Sequence, residues 1–339
     1  MAFVTAQGST FNLPNYTGPL FEVAKKTAKF LAAIGGLNAG AFRSVSDVAF
    51  GISTYDLGAS DANDTNIEGQ NAPAATTVAR GGLQNIVEIF HRTVDVSYTK
   101  QAADAAIALY AAAQSSPTAA YPASGTNPVN SELDWQIKVQ LEKLARMVNY
   151  AFLNGSYSFP STAATPRRTR GLLSAIVTNA IVADSGGGNP DDLSQTYVEN
   201  LVKTIFDNGG LEDEQGAVIL CNSAQKIRLD RIYQKSPMSI TVGGVELEKI
   251  YTPLGAFAVL MDRAMPQDQL VIASMNVIKP AALFIPGKGV LFEEPLAKVG
   301  ASDRTQIYGE LGLDHGPEQF HGKITNLKTT VPTGNVGSH

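Results

Sequence analysis

The sequence predicts an α+β protein organised around one long helix, and three observations carry that expectation. Between Asn130 and Gly155 the apolar residues Leu133, Ile137, Leu141, Leu144, Val148 and Phe152 recur at steps of three or four, the stripe that 3.6 residues per turn places on one helix face. Between Asp47 and Tyr98 two β-prone runs flank the small, polar, turn-rich stretch LGASDANDTNIEGQNAPAA. From Leu193 onward helix-periodic segments alternate with short apolar runs such as GAVILCN, the pattern of an α/β unit.

Taken in order, residues 1–46 read as an arm. A polar, proline-broken lead is followed by LFEVAKKTAKFLAAIGG, a short helix stopped at Gly35 and Gly36, with too little apolar content to stand without a partner surface. Residues 47–97 read as a long two-stranded hairpin with a loose tip, in which Val94, Val96 and Tyr98 alternate with Thr93, Asp95 and Ser97. An isolated hairpin is marginal in water, so this one should lie on another surface, its own or a neighbour's. QAADAAIALYAAAQ is alanine-rich and helical, and SSPTAAYPASGTNP bridges to the long helix at 131–154.

Asn130 or Ser131 can cap that helix, with Asp134 completing a capping box and Gly155 offering a left-handed stop. Asp134 with Lys138 and Glu142 with Arg146 form acid-then-base pairs four apart, as on a partly solvated rod of roughly 30 Å. The stripe places Leu141 in the core, so Leu141→Asp is expected to prevent folding and Lys138→Ala to matter mainly, if at all, in assembly. Beyond the helix, TPRRTRGLL sets three arginines in a solvated or interface loop, and ADSGGGNPDD marks a boundary near residue 190. The stretch from Pro286 is strand-rich, with turns at GAS and DHGP, and supplies strands to the units on both sides.

Composition excludes several classes of function. A chain of 339 residues with 44% hydrophobic content buries a substantial core, in about two domain-sized units. A formal charge of -5 without any lysine-arginine run argues against a nucleic-acid-coating protein. Cys221 is alone within VILC and reads as a buried small hydrophobe. The first residues lack a signal-peptide pattern and no apolar run reaches the roughly 18 residues of a membrane helix, which places the expected product in the cytoplasm with no membrane contact. Asp314, His315, Glu318 and His321 are the one cluster resembling metal or acid-base equipment. Gly316 and Pro317 break any helix that would fix them, so a polar turn is expected instead of a catalytic or metal site. PGKGV lacks phosphate-loop spacing, and no G-x-S-x-G elbow occurs. Trp135 reads as packing. No enzyme, cofactor or metal is therefore expected.

Six stretches in this order resemble one branch of the tailed-bacteriophage major capsid proteins, the Hong Kong 97-like fold. They are NIVEIFHRTVDVSYTKQA, the helix with its LNG ending, TPRRTRGLL, VGGVELEKIYTPLGAFAVLMDRAMP, PGKGVLFEEPLAK and YGELGLDHGPEQFHGKITNL. The resemblance covers nearly the whole chain from Asp47. It implies an N-terminal arm at 1–46 and an extension loop at 47–97. A peripheral domain would comprise 98–190 and 286–319 with its spine helix at 131–154, an axial domain 191–285 and 320–329, and a tail 330–339. It further implies self-assembly as pentamers and hexamers into an icosahedral shell around double-stranded DNA, bound without sequence preference, in the virion after assembly in the host bacterial cytoplasm. Portal and scaffolding proteins, and a decoration protein in some members, are the implied partners. The hairpin starts too early for a fused scaffolding region, which implies a separate scaffold protein or an already processed chain. Candidate inter-subunit contacts are Asp56, Glu68, Arg80, Arg92, Arg167, Arg168, Arg170, Glu293 and Glu294. An encapsulin-type compartment of the same fold is the alternative, and a metal-dependent hydrolase using residues 314–321 is a third reading.

Overall fold

The computed structural model describes residues 28–37, 42–55, 67–71, 77–78, 80–101, 132–162, 164–211, 216–233, 235–242, 245–253 and 255–330. The alanine-rich helix expected after Gln101, the bridge that follows it, the caps Asn130 and Ser131, and most of the hairpin tip lie outside them.

Two sheets and one long helix make the frame. The first sheet is built on β13 (Ser302–Asp314), the longest strand. β4 (Glu88–Ser97) runs antiparallel along one side of it. Along the other side lie β12 (Leu291–Pro295) and then β11 (Lys279–Leu283), and β11 pairs in parallel with β1 (Arg43–Val45). The second sheet runs from β5 (Ala180–Val182) at one edge through β14 (His321–Thr325), β10 (Leu270–Ser274), β6 (Ala217–Cys221), β9 (Gly255–Met261) and β8 (Val245–Thr252) to β7 (Lys235–Val242) at the other. In its centre β6 (Ala217–Cys221) is buried at every position because both faces are covered. Ile219 and Cys221 face α4 (Gln195–Asp207) and α5 (Ser223–Ile232), while Val218 and Leu220 face the opposite way.

The long helix α2 (Glu132–Asn154) packs on that opposite face and on the first sheet at once. Leu144, Val148 and Phe152 share one apolar cluster with Phe90, Ile307 and Leu311 of the first sheet and with Val218, Leu260 and Val271 of the second. The buried face is Leu144, Val148, Asn149, Phe152 and Leu153, so burial is concentrated in the C-terminal half. Leu141 is 39% exposed, and the expectation that it lies in the core is wrong. At 3.6 residues per turn Leu141 lies within about 20° of Val148 and Phe152 on the same face, so its exposure reflects where along the helix the burial lies, from Leu144 onward.

Gly155 ends the helix by close approach and without a left-handed conformation. A Cβ there would stand 2.4 Å from the carbonyl oxygens of Ala151 and Thr169. The N–H of Gly171 donates to the Gly155 oxygen at 2.9 Å, docking the arginine loop and α3 (Leu172–Ala175) on the helix end.

The arm is less separate than its composition suggests. α1 (Lys29–Ala33) stops at Gly35 and Gly36, both at positive φ, as expected, yet it is packed within its own chain: Phe30 is fully buried. Asn149 of α2 accepts the Leu31 N–H through its Oδ1 at 2.8 Å and donates through Nδ2 to both Asp262 carboxylate oxygens. Asp262, on the loop after β9 (Gly255–Met261), accepts the Phe30 N–H at 2.8 Å. β1 then inserts in the first sheet, so residues 28–37 and 42–45 belong to the body.

The hairpin is shorter than expected. β2 (Ala49–Tyr55) pairs with β3 (Arg80–Ile86), from Ala49 opposite Ile86 to Tyr55 opposite Arg80. β4, expected as part of the second hairpin strand, pairs with β13 instead, because Val94 and Val96 are apolar on the face that sheet buries. Sheet membership also crosses the expected boundaries at 190 and 285, since β5 joins the second sheet and β11 the first. The C-terminal stretch serves both sheets as expected, with β12 and β13 in the first and β14 (His321–Thr325) in the second.

Asn149→Ala should destabilise the subunit by about 2–4 kcal/mol, since it strands a buried N–H and removes a buried carboxylate's donor. Leu141→Asp should change stability by no more than about 1 kcal/mol, as at an exposed helix site. Urea unfolding of dissociated subunits measures both.

Candidate assembly surfaces

The hairpin is the first surface. Its base is fixed: Phe50, Ile52, Val45, Val87 and Ala281 form a small apolar cluster. Arg43 clamps this base through an ion pair with Asp314, a bond to the Gly51 carbonyl at 3.2 Å, and its position over the Phe50 ring. Asn85 is buried and donates to the carbonyls of Leu313 at 2.7 Å and Arg170 at 3.1 Å, tying β3 to β13 and to the arginine loop. Beyond that base, β3 is exposed from Arg80 to Gln84, and Tyr55 is 68% exposed at the end of β2. A two-stranded ribbon open on both faces is unfinished by itself.

The second surface is a groove of about 650 Å³ between the outer flank of α2 and β4. Arg92, Lys143, Arg146 and Arg168 line it against one carboxylate, Glu88. Burial raises the Glu88 pKa above the usual carboxylate range, opposed by its bond from the Thr169 N–H and by Arg168. Tyr150 and Met147 add apolar surface on the helix side, at 61% and 38% exposure. The sequence reading missed Lys143, Arg146, Met147 and Tyr150. Their signal was present, because a tyrosine and a methionine stand off the core stripe, where core packing does not call for them.

The expected contact residues divide. Arg92 and Arg168 meet in the groove. Arg167 forms an intrachain ion pair with Glu310, which also accepts from the Tyr308 hydroxyl. Arg170 stacks over the Tyr157 ring at 4.9 Å. Glu294 bonds Lys288 and Gln306, and the Lys288 bond pulls its pKa down. Glu68 lies exposed in a turn before Gly69, Arg80 is exposed at the start of β3, and Glu293 is exposed on β12. Asp56 is outside the described residues.

The 314–321 cluster is a structural turn. Glu318 accepts the backbone N–H groups of Val177 and Thr178 and the Thr178 hydroxyl; burial opposes its ionisation, but these bonds outweigh it and lower its pKa. His321 accepts the Ser274 N–H at Nδ1, so its proton sits on Nε2 and is donated to the His315 carbonyl at 2.6 Å. Burial lowers its pKa from 6.5 to about 4. No group of three or more metal-ligating side chains converges among the described residues. Cys221 is buried, and desolvation pushes its thiol up to about 12, out of reactive range.

Comparison with known proteins joins these features. The family described as SU10 major capsid protein matches residues 3–328. The chain belongs to that family. This capsid protein also shares its fold with solved shells. The cyanophage A-1(L) capsid asymmetric unit matches with TM-score 0.64 and 11% identity over 96% of this chain and 99% of that one. The capsid of a native GTA particle matches with TM-score 0.56 and 12% identity over 97% and 100%. The SrpI encapsulin of Synechococcus elongatus PCC 7942 matches with TM-score 0.54 and 10% identity over 97% and 98%. Comparison with curated proteins gives no match. Because encapsulin and phage shells share the fold, the family match is what makes this chain a tailed-phage major capsid protein with a Hong Kong 97-like fold, a structural component of the virion shell.

The buried histidines set an acid limit. Above pH 6.5 His321 is neutral in both folded and unfolded chains, and between 6.5 and about 4 only the unfolded chain takes up the proton, so stability falls as pH drops through that window. Going from about pH 7 to about pH 5 should lower unfolding free energy by about 2 kcal/mol from this group. His315, also lowered by burial, adds to the same slope. Unfolding free energies of the wild type and His321→Gln, measured by urea titration across that range, should show the shallower slope in the variant.

Proposed function

We propose that this chain assembles as pentamers and hexamers into the icosahedral head of a tailed phage and encloses double-stranded DNA without reading its sequence. The observation that supports the reading most directly is the unfinished hairpin, an exposed two-stranded ribbon anchored by Arg43 and Asn85. Such a ribbon gains stability when a neighbour covers it, which couples assembly to its ordering. In this reading residues 47–87 are the extension loop. The first sheet with α2 is the peripheral domain, and the second sheet with α4 and α5 is the axial domain that meets its copies around the symmetry axes. Contacts through Glu68, Arg80, Arg168 and Glu293 fit their exposure. The charge of -5 fits a shell filled by a packaging motor, which need not neutralise DNA with its own residues. Portal and scaffolding proteins are the further partners, with a decoration protein where one is encoded, and assembly takes place in the host cytoplasm. The protein has no catalytic role in this reading.

The encapsulin likeness makes a cargo compartment the rival, and the contents of purified particles separate the two: packaged DNA supports the head, a protein cargo the compartment. Deleting residues 59–75 should leave a subunit that folds with near-wild-type stability, yet yields few closed shells by negative-stain microscopy. Normal shells from the deletion would remove the hairpin tip from the interface.

A further inference from the structure

We propose that the groove between α2 and β4 is a contact for the phosphate backbone of double-stranded DNA. The inference rests on the head-subunit reading and names the place where the shell touches its contents. Cations reach the groove from separate parts of the chain: Arg92 from β4, Lys143 and Arg146 from α2, and Arg168 from the arginine loop. The lining carboxylate, Glu88, is engaged by the backbone, since it accepts the Thr169 N–H at 3.2 Å. Arg92 has an open donor. Its Nε is buried without a hydrogen-bond partner among the described residues, and one of its terminal nitrogens is set against the Met147 sulfur, a weak acceptor. A phosphate oxygen is the kind of acceptor such a guanidinium fits.

Length and composition favour a nucleic acid over a protein. From Lys143 to Gly155 the groove runs roughly 18 Å along the helix, the span of about five phosphates of one DNA strand. Protein interfaces are depleted of charge at their centre, whereas here cations stand on the strand, the helix and the loop, and the large exposed apolar side chains are Met147 and Tyr150. Asn154, the amide side chain of the lining, donates to the Ala264 carbonyl at 2.8 Å, so the groove presents charge without an amide for reading bases. A net charge of -5 is compatible with this site. A few phosphate contacts per subunit position a duplex against the wall without neutralising it.

The test is binding of dissociated full-chain subunits to a duplex of about 20 base pairs and arbitrary sequence, followed by fluorescence anisotropy between about 50 and 200 mM salt. Lys143→Gln with Arg168→Gln, both at exposed positions, should weaken binding about 10-fold and reduce the slope of log affinity against log salt by about 2, with an unchanged urea midpoint. Removing the same charge from α4 and α5, by Lys203→Gln with Arg231→Gln, should leave affinity within about 2-fold of wild type. Equal losses from the two pairs overturn the proposal by reducing the effect to net charge. A groove variant that binds the duplex like wild type overturns it as well, and if that variant also yields no shells the groove belongs to a protein contact. A second measurement uses the wild-type chain. Ultraviolet irradiation of DNA-filled particles, followed by peptide mapping, should place nucleotide adducts on residues 143–168, and adducts confined to other segments overturn the contact while leaving the head-subunit reading in place. Wild-type particles that hold a protein cargo and no DNA sink that reading itself.

Discussion

Everything in this subunit hangs on a buried carboxylate, Asp262, and the amide that meets it, Asn149. Both are essentially without solvent, and a buried carboxylate persists only when its oxygens are satisfied. Here the donors come from three separate parts of the chain: the Phe30 N–H from α1, the Asn149 amide from α2 and the Ala264 N–H from the loop after β9. A dispersive apolar contact tolerates sliding, but this set of bonds specifies one arrangement. It fixes how α2 lies across the second sheet and makes α1 part of the body.

A second joint holds the first sheet to the helix end. Gly155 and Gly171 bring two backbones too close for any side chain, and Asn85 and Thr169 satisfy the groups this leaves between β3, the arginine loop and β13. The arginine loop is therefore a structural part with one outward residue, Arg168, since Arg167 and Arg170 are engaged by Glu310 and Tyr157. The glycine pair and the polar knot act at the C-terminal half of α2, which is also where its apolar burial lies.

The division of labour follows from this rigidity. A body with one apolar cluster shared by two sheets can hold a hairpin at its base and leave the rest of it uncovered. The same rigidity presents the outer flank of α2 as a fixed surface, basic where the hairpin is acidic. Low subunit net charge and unbalanced local charge are compatible, because the segment between Arg43 and Arg80 carries acids without bases while bases predominate in the groove.

The sequence alone determined the long helix, the alternating elements after Leu193, the return of the last strands to both sheets and the turn at 314–321. Each depends on local periodicity or local backbone chemistry: a repeat of 3.6 residues, a buried run at β6, a Gly316-Pro317 break. Only the tertiary structure decided that Leu141 is left uncovered, that Gly155 serves close approach, that β4 leaves the hairpin for β13, and that Arg167 pairs with Glu310 while Arg92 and Arg168 line one groove with Lys143. Several of those outcomes depend on partners more than 50 residues away in the chain, such as Met147 for Arg92 or Glu310 for Arg167. Periodicity shows that a helix has an apolar face but not where along its length the burial lies. That is settled by what packs against it, here two sheets meeting at its C-terminal half.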